Sequence, residues 1–256
     1  MPLTPLAEAR CYNGQKICFM ALFRPHRSDC WGGVRTMSKI ISLKTHIRRW
    51  GLLRTAYNVI LRIGSDILGI HVFVARCRRT TDDVAIPCNL TEIVFRLIEP
   101  DELDQFVADD ELLLDKKFVL EARKRGDLAF GAFDGPRLIA YVWRAMKCAP
   151  HTDDVWARVR QPYCYSYKSF ARPDYRGKRI VPALILYSDR AMLDKGYTHR
   201  VGFVALSNFA SLAMGGSMDS KDLGRFGYVH WFGRYYFFRS KAVADVGMEL
   251  YEPHRG

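Results

Sequence analysis

The spacing of apolar residues divides the chain into segments of helical and of strand character. From Leu43 to Ile63, apolar side chains recur at helical spacing with arginines largely between them, which predicts a basic amphipathic helix. The next segment, 69–78, reads as a strand, and 79–92 reads as a polar linker. Residues 1–36 show no period, which indicates a poorly ordered leader.

Residues 93–239 switch repeatedly between the two periods. The pattern predicts a strand, two helices, three strands, a helix, a strand, a helix and two strands, which is an α+β order. Asp134-Gly135 marks a hairpin turn between two β-rich runs. The last predicted helix is short, with Ser207 or Asn208 as its N-cap.

Charge is distributed unevenly over the three predicted parts, which are the leader 1–36, a basic extension 37–90 and a main domain 91–250. The first 90 residues hold 14 Lys and Arg against 5 Asp and Glu, a balance of +9, and the rest hold 25 against 22, or +3, which gives the net +12. Such an arm favours acidic lipid or nucleic acid as a partner, or serves as a solubilising or docking extension. We expect this basic region to contact a membrane peripherally, and we do not expect it to bind nucleic acid.

Cysteine usage and hydropathy exclude several classes of protein. The seven cysteines are odd in number and none has C-x-x-C spacing, which argues against a zinc site or a disulfide framework and for reduced thiols in the cytoplasm. No uncharged apolar run approaches the roughly 18–20 residues of a membrane span. The acid pairs lack nearby histidines, so we expect no metal.

The stretch PDYRGKRIVPAL, at 173–184, lies between an aromatic strand at 163–171 and a helix. Helix N-termini expose unpaired N–H groups and carry positive partial charge. Gly177 permits close approach of the backbone, and Arg176, Lys178 and Arg179 add positive charge. The stretch therefore fits a diphosphate cradle, with a solvated basic turn as the alternative.

Its context resembles the GCN5-related N-acetyltransferase (GNAT) superfamily. The segment ARPDYRGKRI matches that family's strand-to-helix motif, and SNFAS supplies Asn208 and Ser211 downstream, with Asn208 32 residues after Arg176. The opening FRLIEPDEL and the Asp134-Gly135 hairpin also match the family pattern, so the resemblance covers about 150 residues. It implies a mixed, mostly antiparallel central sheet flanked by helices, and an acyl-CoA-dependent transfer, of acetyl by preference, directly to an amine.

The same resemblance implies which residues bind the cofactor. The backbone of Phe170, Ala171 and Arg172 would bond the pantetheine arm like a strand partner, and Asn208 and Ser211 would meet it from the other side. The backbone amides from Arg176 to Val181 would hold the pyrophosphate, and they belong to Arg176, Gly177, Lys178, Arg179, Ile180 and Val181.

Two positions depart from the family pattern, and the catalytic groups stay unassigned. Arg179 and Val181 stand where the family prefers small residues, and Gly215 stands where many relatives carry the tyrosine that protonates the leaving thiolate. The hydroxyl and amine candidates on the neighbouring strands are Tyr141, Tyr165, Ser166, Tyr167 and Lys168. Core packing is the competing explanation for each of them.

Two other functions therefore stay open. The missing tyrosine suits a module that binds CoA without turning it over. The basic first 90 residues suit a membrane or nucleic-acid adaptor.

Overall fold

The fold was analysed in a computed structural model, which describes residues 47–48, 51–80, 90 and 92–253. The predicted leader and nearly all of the predicted linker lie outside the described residues. Of the basic helix predicted from Leu43 to Ile63, Ile47 and Arg48 are helical, and after Gly51 at φ +83° a helix runs from Leu52 to Leu68.

Helices and strands alternate along the described chain much as the periodicity predicts. The helices are α1 (Leu52–Leu68), α2 (Leu103–Val107), α3 (Lys116–Arg125), α4 (Ile180–Leu193), α5 (Phe209–Ser217) and α6 (Lys241–Asp245). The strands are β1 (Ile70–Arg79), β2 (Ile93–Ile98), β3 (Leu128–Asp134), β4 (Arg137–Ala145), β5 (Cys148–Pro150), β6 (Trp156–Arg158), β7 (Tyr163–Ala171), β8 (His199–Ala205), β9 (Lys221–Trp231), β10 (Arg234–Arg239) and β11 (Glu249–Tyr251).

Eight of these strands form one large sheet in the order β10-β9-β1-β8-β7-β4-β3-β2. Every neighbouring pair in it is antiparallel except β7 and β8, which are parallel. A second sheet contains β11, β6 and β5. The predicted α+β class with a mixed, mostly antiparallel sheet is therefore confirmed.

The strand β1 lies inside the large sheet, between β8 and β9. Its residues pair with β8 from Phe73 opposite Ala205 to Arg79 opposite His199, and its other edge pairs with β9. Phe73, Val74 and Ala75 are buried. The extension predicted for 37–90 thus contributes a central strand to the sheet of the domain predicted for 91–250.

Two hydrophobic clusters cover the two faces of the large sheet. One face packs against α4 through residues such as Val142, Leu184 and Ile185. The other packs against α2, α3, α6 and the small sheet, and it contains many aromatic side chains of the central strands, such as Phe226 and Tyr228. The small sheet and α6 were not predicted, because elements of three to five residues are too short to show a period.

A buried carboxylate, Asp189 of α4, ties α4 to three strands. Its oxygens accept from Arg144 Nη2 of β4 and from Arg200 Nε of β8, each at 2.9 Å, and Arg78 Nη1 of β1 lies 3.6 Å away. Arg144 is fully buried and also donates to Ser188 Oγ at 2.6 Å. Burial lowers the pKa of Arg144, and the Asp189 carboxylate opposes that effect.

In the part of the chain that the structure describes, no helix combines the length and apolar character needed to cross a bilayer.

We predict that Asp189→Asn destabilises the fold by roughly 3–5 kcal/mol, because it leaves buried arginines without a counter-charge. Urea unfolding followed by circular dichroism measures the change. Asp194→Asn at the exposed end of the same helix is the matched control and should cost less than about 0.5 kcal/mol. Equal losses in the two variants would contradict the role of Asp189.

We also predict that Gly227→Ala is strongly destabilising, by more than about 2 kcal/mol, because β1 and β9 approach closely there. A Cβ at Gly227 would lie 1.9 Å from the His71 carbonyl oxygen, a backbone atom that cannot swing away. Gly216→Ala, where the added Cβ meets nothing within 4 Å, is the control and should be neutral or slightly stabilising. Thermal unfolding of both variants checks whether β1 occupies this position.

Candidate functional site

The parallel strands β7 and β8 separate partway along their length. They pair only from Tyr163 opposite His199 to Tyr165 opposite Val201, and among the described residues no pairing between them continues further. Beyond that point β7 stays paired to β4, and β8 stays paired to β1 as far as Ala205. A wedge-shaped opening bordered by backbone therefore lies between the two strands.

A β-bulge in β7 faces this opening. The register passes from Ser169 opposite Val142 to Tyr167 opposite Trp143, so Lys168 is the extra residue, and its φ is +28°. Bulges bend a strand and redirect its polar groups, and they are over-represented beside functional sites.

The loop after β7 leads into α4 with an unusual backbone. Gly177 has φ +80° and Arg179, the residue preceding the helix, has φ +60°. Both angles lie in the left-handed region that glycine favours. Arg179 therefore keeps a backbone conformation that glycine favours although it carries a side chain.

Positive charge and free N–H groups converge at this loop. The first N–H groups of a helix have no acceptor within it, and α4 begins at Ile180 with no side-chain cap. Arg176, Gly177, Lys178 and Arg179 are all exposed. Ile180 is buried and anchors the helix start in the core, so the cradle is held on a fixed element.

The strand residues expected to face the cofactor differ in the direction of their backbone polar groups. Arg172 N donates to Ile139 O at 2.9 Å, and its own carbonyl accepts from Tyr175 N. Since backbone direction alternates along an antiparallel pair, Phe170 also faces β4, whereas Ala171 turns its polar groups toward the opening. The structure thus differs from the expectation for the backbones of Phe170 and Arg172.

Arg172 has a structural role instead. Its buried guanidinium donates to Leu138 O at 2.7 Å and forms ion pairs with Asp109 and Glu111. Ala171 O accepts a hydrogen bond from Arg176 Nε at 3.1 Å, which joins the strand end to the cradle.

Asn208 and Ser211 lie at the start of α5, after β8. Asn208 Oδ1 accepts from Ser211 N at 3.2 Å, as predicted for an N-cap, and the Ser211 side chain is buried. Because β7 and β8 are parallel, the starts of α4 and α5 lie at the same edge of the sheet. The two sequence motifs therefore meet at one end of the opening.

Gly215 in α5 is explained by an arginine from β1. Arg76 Nη1 donates to Leu212 O at 2.7 Å, and a Cβ at Gly215 would lie 2.1 Å from the same nitrogen. The place where the resemblance puts a tyrosine thus has a guanidinium beside it. No short-range pattern links residue 76 to residue 215, so this contact could not be predicted from the sequence.

Most of the hydroxyl and amine candidates already make contacts inside the protein. Tyr167 Oη donates to Asp127 Oδ2 at 2.7 Å, and Tyr141 Oη donates to Leu112 O at 2.9 Å. Ser166 Oγ accepts from Arg144, and Lys168 Nζ lies 3.9 Å from the centre of the Phe118 ring. These contacts favour structural roles.

Tyr165 and Cys164 hold their protons firmly. Burial raises the pKa of Tyr165 far above its ordinary value and raises the pKa of Cys164 to about 11. Neither group is therefore a nucleophile or base near neutral pH. Within the described residues no group of three His, Cys, Asp or Glu side chains could hold a metal ion.

A histidine that the sequence analysis did not single out, His151, lies beside the opening. Its ring centroid is 4.8 Å from that of Phe73 and 5.1 Å from that of Phe203, which in turn stacks on Tyr165 at 5.5 Å where the strands begin to separate. Burial in this aromatic cluster, with a smaller effect of His71, lowers the pKa of His151 to about 4. The half-buried imidazole is therefore neutral near pH 7, and its burial makes it a weaker base than an exposed histidine.

Comparison by sequence finds no matching protein family and no matching curated protein. Among solved structures, a GNAT-family acetyltransferase from Colwellia psychrerythraea is 13% identical and aligns over 66% of this chain and 56% of its own, at a TM-score of 0.44. The aminoglycoside 6'-N-acetyltransferase of Acinetobacter baumannii is 18% identical and aligns over 58% of this chain and 98% of its own, at 0.40.

An aminoglycoside acetyltransferase from an uncultured soil metagenomic sample is 11% identical over 50% of this chain and 88% of its own, also at a TM-score of 0.40. The solved structures that resemble this chain thus include GNAT-family acetyltransferases. Because these TM-scores are below 0.5, the similarity does not show the activity of this chain.

Proposed function

We propose that the chain is an acyl-CoA-dependent N-acyltransferase that transfers acetyl directly to an amine. One observation carries the proposal: an opening between two parallel strands ends, at one edge of the sheet, beside a basic helix start with left-handed backbone at Gly177 and Arg179. An opening between backbone edges suits the amides of pantetheine, and the basic helix start suits its diphosphate.

In this proposal each part of the site binds one part of acyl-CoA. The amides from Gly177 to Val181 and the side chains of Arg176, Lys178 and Arg179 hold the diphosphate. The Arg176 amide, also expected to hold it, donates instead to Pro173 O at 3.3 Å. The backbone of Ala171 and the side chain of Asn208 border the pantetheine, and Ser211 supports Asn208 through its capping bond.

The reaction needs a neutral amine at the thioester carbonyl. The amine nitrogen attacks the carbonyl carbon, the C–S bond breaks, the amide forms, and CoA leaves as a thiolate while the amine loses a proton. We propose that the neutral His151 imidazole accepts a hydrogen bond from the attacking amine, directly or through one water, and that the proton passes on to solvent, because burial makes this imidazole a weak base. Binding both reactants in one opening supplies the remaining advantage.

A second function is favoured by the contact between Arg76 and Gly215. The space beside Gly215 is filled by the Arg76 guanidinium, so the thiolate would leave without a tyrosine acid at this place. A domain that binds acyl-CoA as a sensor would have the same cradle and no turnover. Release of CoA thiol with a panel of amines distinguishes the two functions.

We propose a cytoplasmic location for the protein. Cys77, Cys148 and Cys164 carry free thiols, which agrees with a cytoplasmic location. Membrane contact of the N-terminal region would use a different surface from this site.

We predict that acetyl-CoA binds the full chain and that Lys178→Glu with Arg179→Glu weakens binding at least about 100-fold, through like-charge repulsion at the diphosphate. Isothermal titration calorimetry measures both affinities. The control is Arg190→Glu with Lys195→Glu, which makes the same change in net charge at exposed positions at the other end of α4. Absence of binding to the wild-type chain at millimolar acetyl-CoA would refute the proposal. Equal losses of affinity in the two double variants would show that the effect depends on net charge and not on the position of the two residues.

We predict that His151→Phe changes stability and turnover separately. The unfolded chain binds a proton at His151 near pH 6.5 and the folded chain only near pH 4, so this residue's contribution falls as pH drops from 6.5 toward 4. Between pH 7 and pH 5 the variant should therefore lose less stability than the wild type, by on the order of 1–2 kcal/mol.

The same variant should lower turnover of the amine at least about 10-fold and leave the acetyl-CoA affinity unchanged. Unchanged turnover would remove His151 from the reaction, whatever its effect on stability.

A further inference from the structure

The helix α1 packs against the domain with its polar side. Among its described side chains Thr55 and Asn58 are buried, and Asn58 Nδ2 donates to Ser207 O at 2.7 Å. Ser65 Oγ lies 3.2 Å from His71 Nδ1 of β1. A helix on a globular domain ordinarily buries its apolar stripe, so α1 is reversed relative to that expectation.

The apolar stripe of α1 therefore faces outward. Leu53 is 86% exposed, Ile60 65% and Ile67 73%, and Ile63 is also exposed. These positions recur at intervals of three, four and seven residues and so lie along one side of the helix. Nothing in the described part of the chain covers them.

The tip of the β9–β10 hairpin lies at the end of this helix. Gly69, which follows α1, accepts from His230 N at 2.9 Å through its carbonyl oxygen. The next residue, Trp231, ends β9 and is 50% exposed, and Phe232, in the turn with Gly233, is 89% exposed. We call Trp231 and Phe232 together with Leu53, Ile60, Ile63 and Ile67 the outer apolar surface.

The charge of the surrounding chain indicates what this surface contacts. Between Asp29 and Asp66 the sequence has no acidic residue and carries seven basic ones: Arg35, Lys39, Lys44, Arg48, Arg49, Arg54 and Arg62. Arg48 and Arg54 are exposed. An exposed apolar helix stripe in a stretch of sequence that is basic and lacks acids fits an anionic bilayer surface, and Trp and Phe suit the headgroup region. A second copy of the chain would instead bring two basic segments together.

We propose that the outer apolar surface docks this protein onto an anionic membrane, with α1 lying in the plane of the interface. The 17 residues of α1 are fewer than the roughly 20 needed to cross a bilayer, so the helix lies on the membrane. The proposal does not rest on the acyltransferase function.

Vesicle flotation with the full chain tests the proposal. We expect binding to vesicles of phosphatidylcholine with 30% phosphatidylserine, and binding at least about 10-fold weaker to phosphatidylcholine alone. The variant Leu53→Gln, Ile60→Gln, Ile67→Gln should lose at least about 10-fold in binding to the anionic vesicles. Its circular dichroism spectrum and unfolding midpoint should stay near the wild type, because the three side chains are exposed.

A matched control replaces exposed apolar residues elsewhere. Val94→Gln with Leu120→Gln, on β2 and α3, should bind anionic vesicles like the wild type. Loss of binding in this control, or equal binding of the wild type to both kinds of vesicle, would overturn the proposal. So would a wild-type dimer in light scattering that the triple variant converts to a monomer without any difference in vesicle binding, since a second copy would then cover the surface.

Discussion

One carboxylate, Asp189, is the counter-charge on which the centre of this structure depends. It comes from α4, and the arginines around it come from β4, β8 and β1. Three guanidinium groups near one carboxylate leave an excess of positive charge in the interior, and Ser166, Ser188 and the Ile185 carbonyl help to stabilise it by accepting further bonds from Arg144. The helix is thereby fastened across the strands where they lie closest together.

That fastening point determines where the sheet can open. Arg144 bridges β4 to β7 at Ser166, and Arg200 belongs to the short stretch of β8 that still pairs with β7. Beyond it the two strands separate, and each is held by its outer neighbour, β4 on one side and β1 on the other. The opening is therefore a stable feature of the fold, because its borders are paired on their far sides. The strand β1 is a structural part of the opening, since it forms one of those neighbours.

Local patterns predicted most of the elements but few of the contacts between them. Tyr163–Ala171, the hairpin at Asp134-Gly135 and the N-cap at Asn208 follow from alternation, turn residues and capping, which act over a few positions. The insertion of β1 between β8 and β9 depends on partners more than a hundred residues away, and no short-range signal encodes it.

In the candidate site too, a feature contiguous in sequence could be predicted, whereas contacts between distant residues could not. The basic helix start could be read from Arg176 to Val181, because it is contiguous in sequence. The backbone angle of Arg179, the internal bonds of Arg172 and the position of His151 could not, since each depends on tertiary packing. The orientation of α1 was also hidden, because an amphipathic pattern states which residues share a side and not which side is buried.

The hydrogen bond from Asn58 to Ser207 has a geometric consequence. Ser207 directly precedes the cap of α5, so the segment that borders the opening is fixed to the inner side of α1. An α-helix with its side chains is about 10 Å across, so whatever touches the outer side of α1 lies within roughly one helix diameter of Ser207. An amine bound at such a surface would therefore lie close to the opening. A freely diffusing amine would approach an opening that α1 already covers on one side.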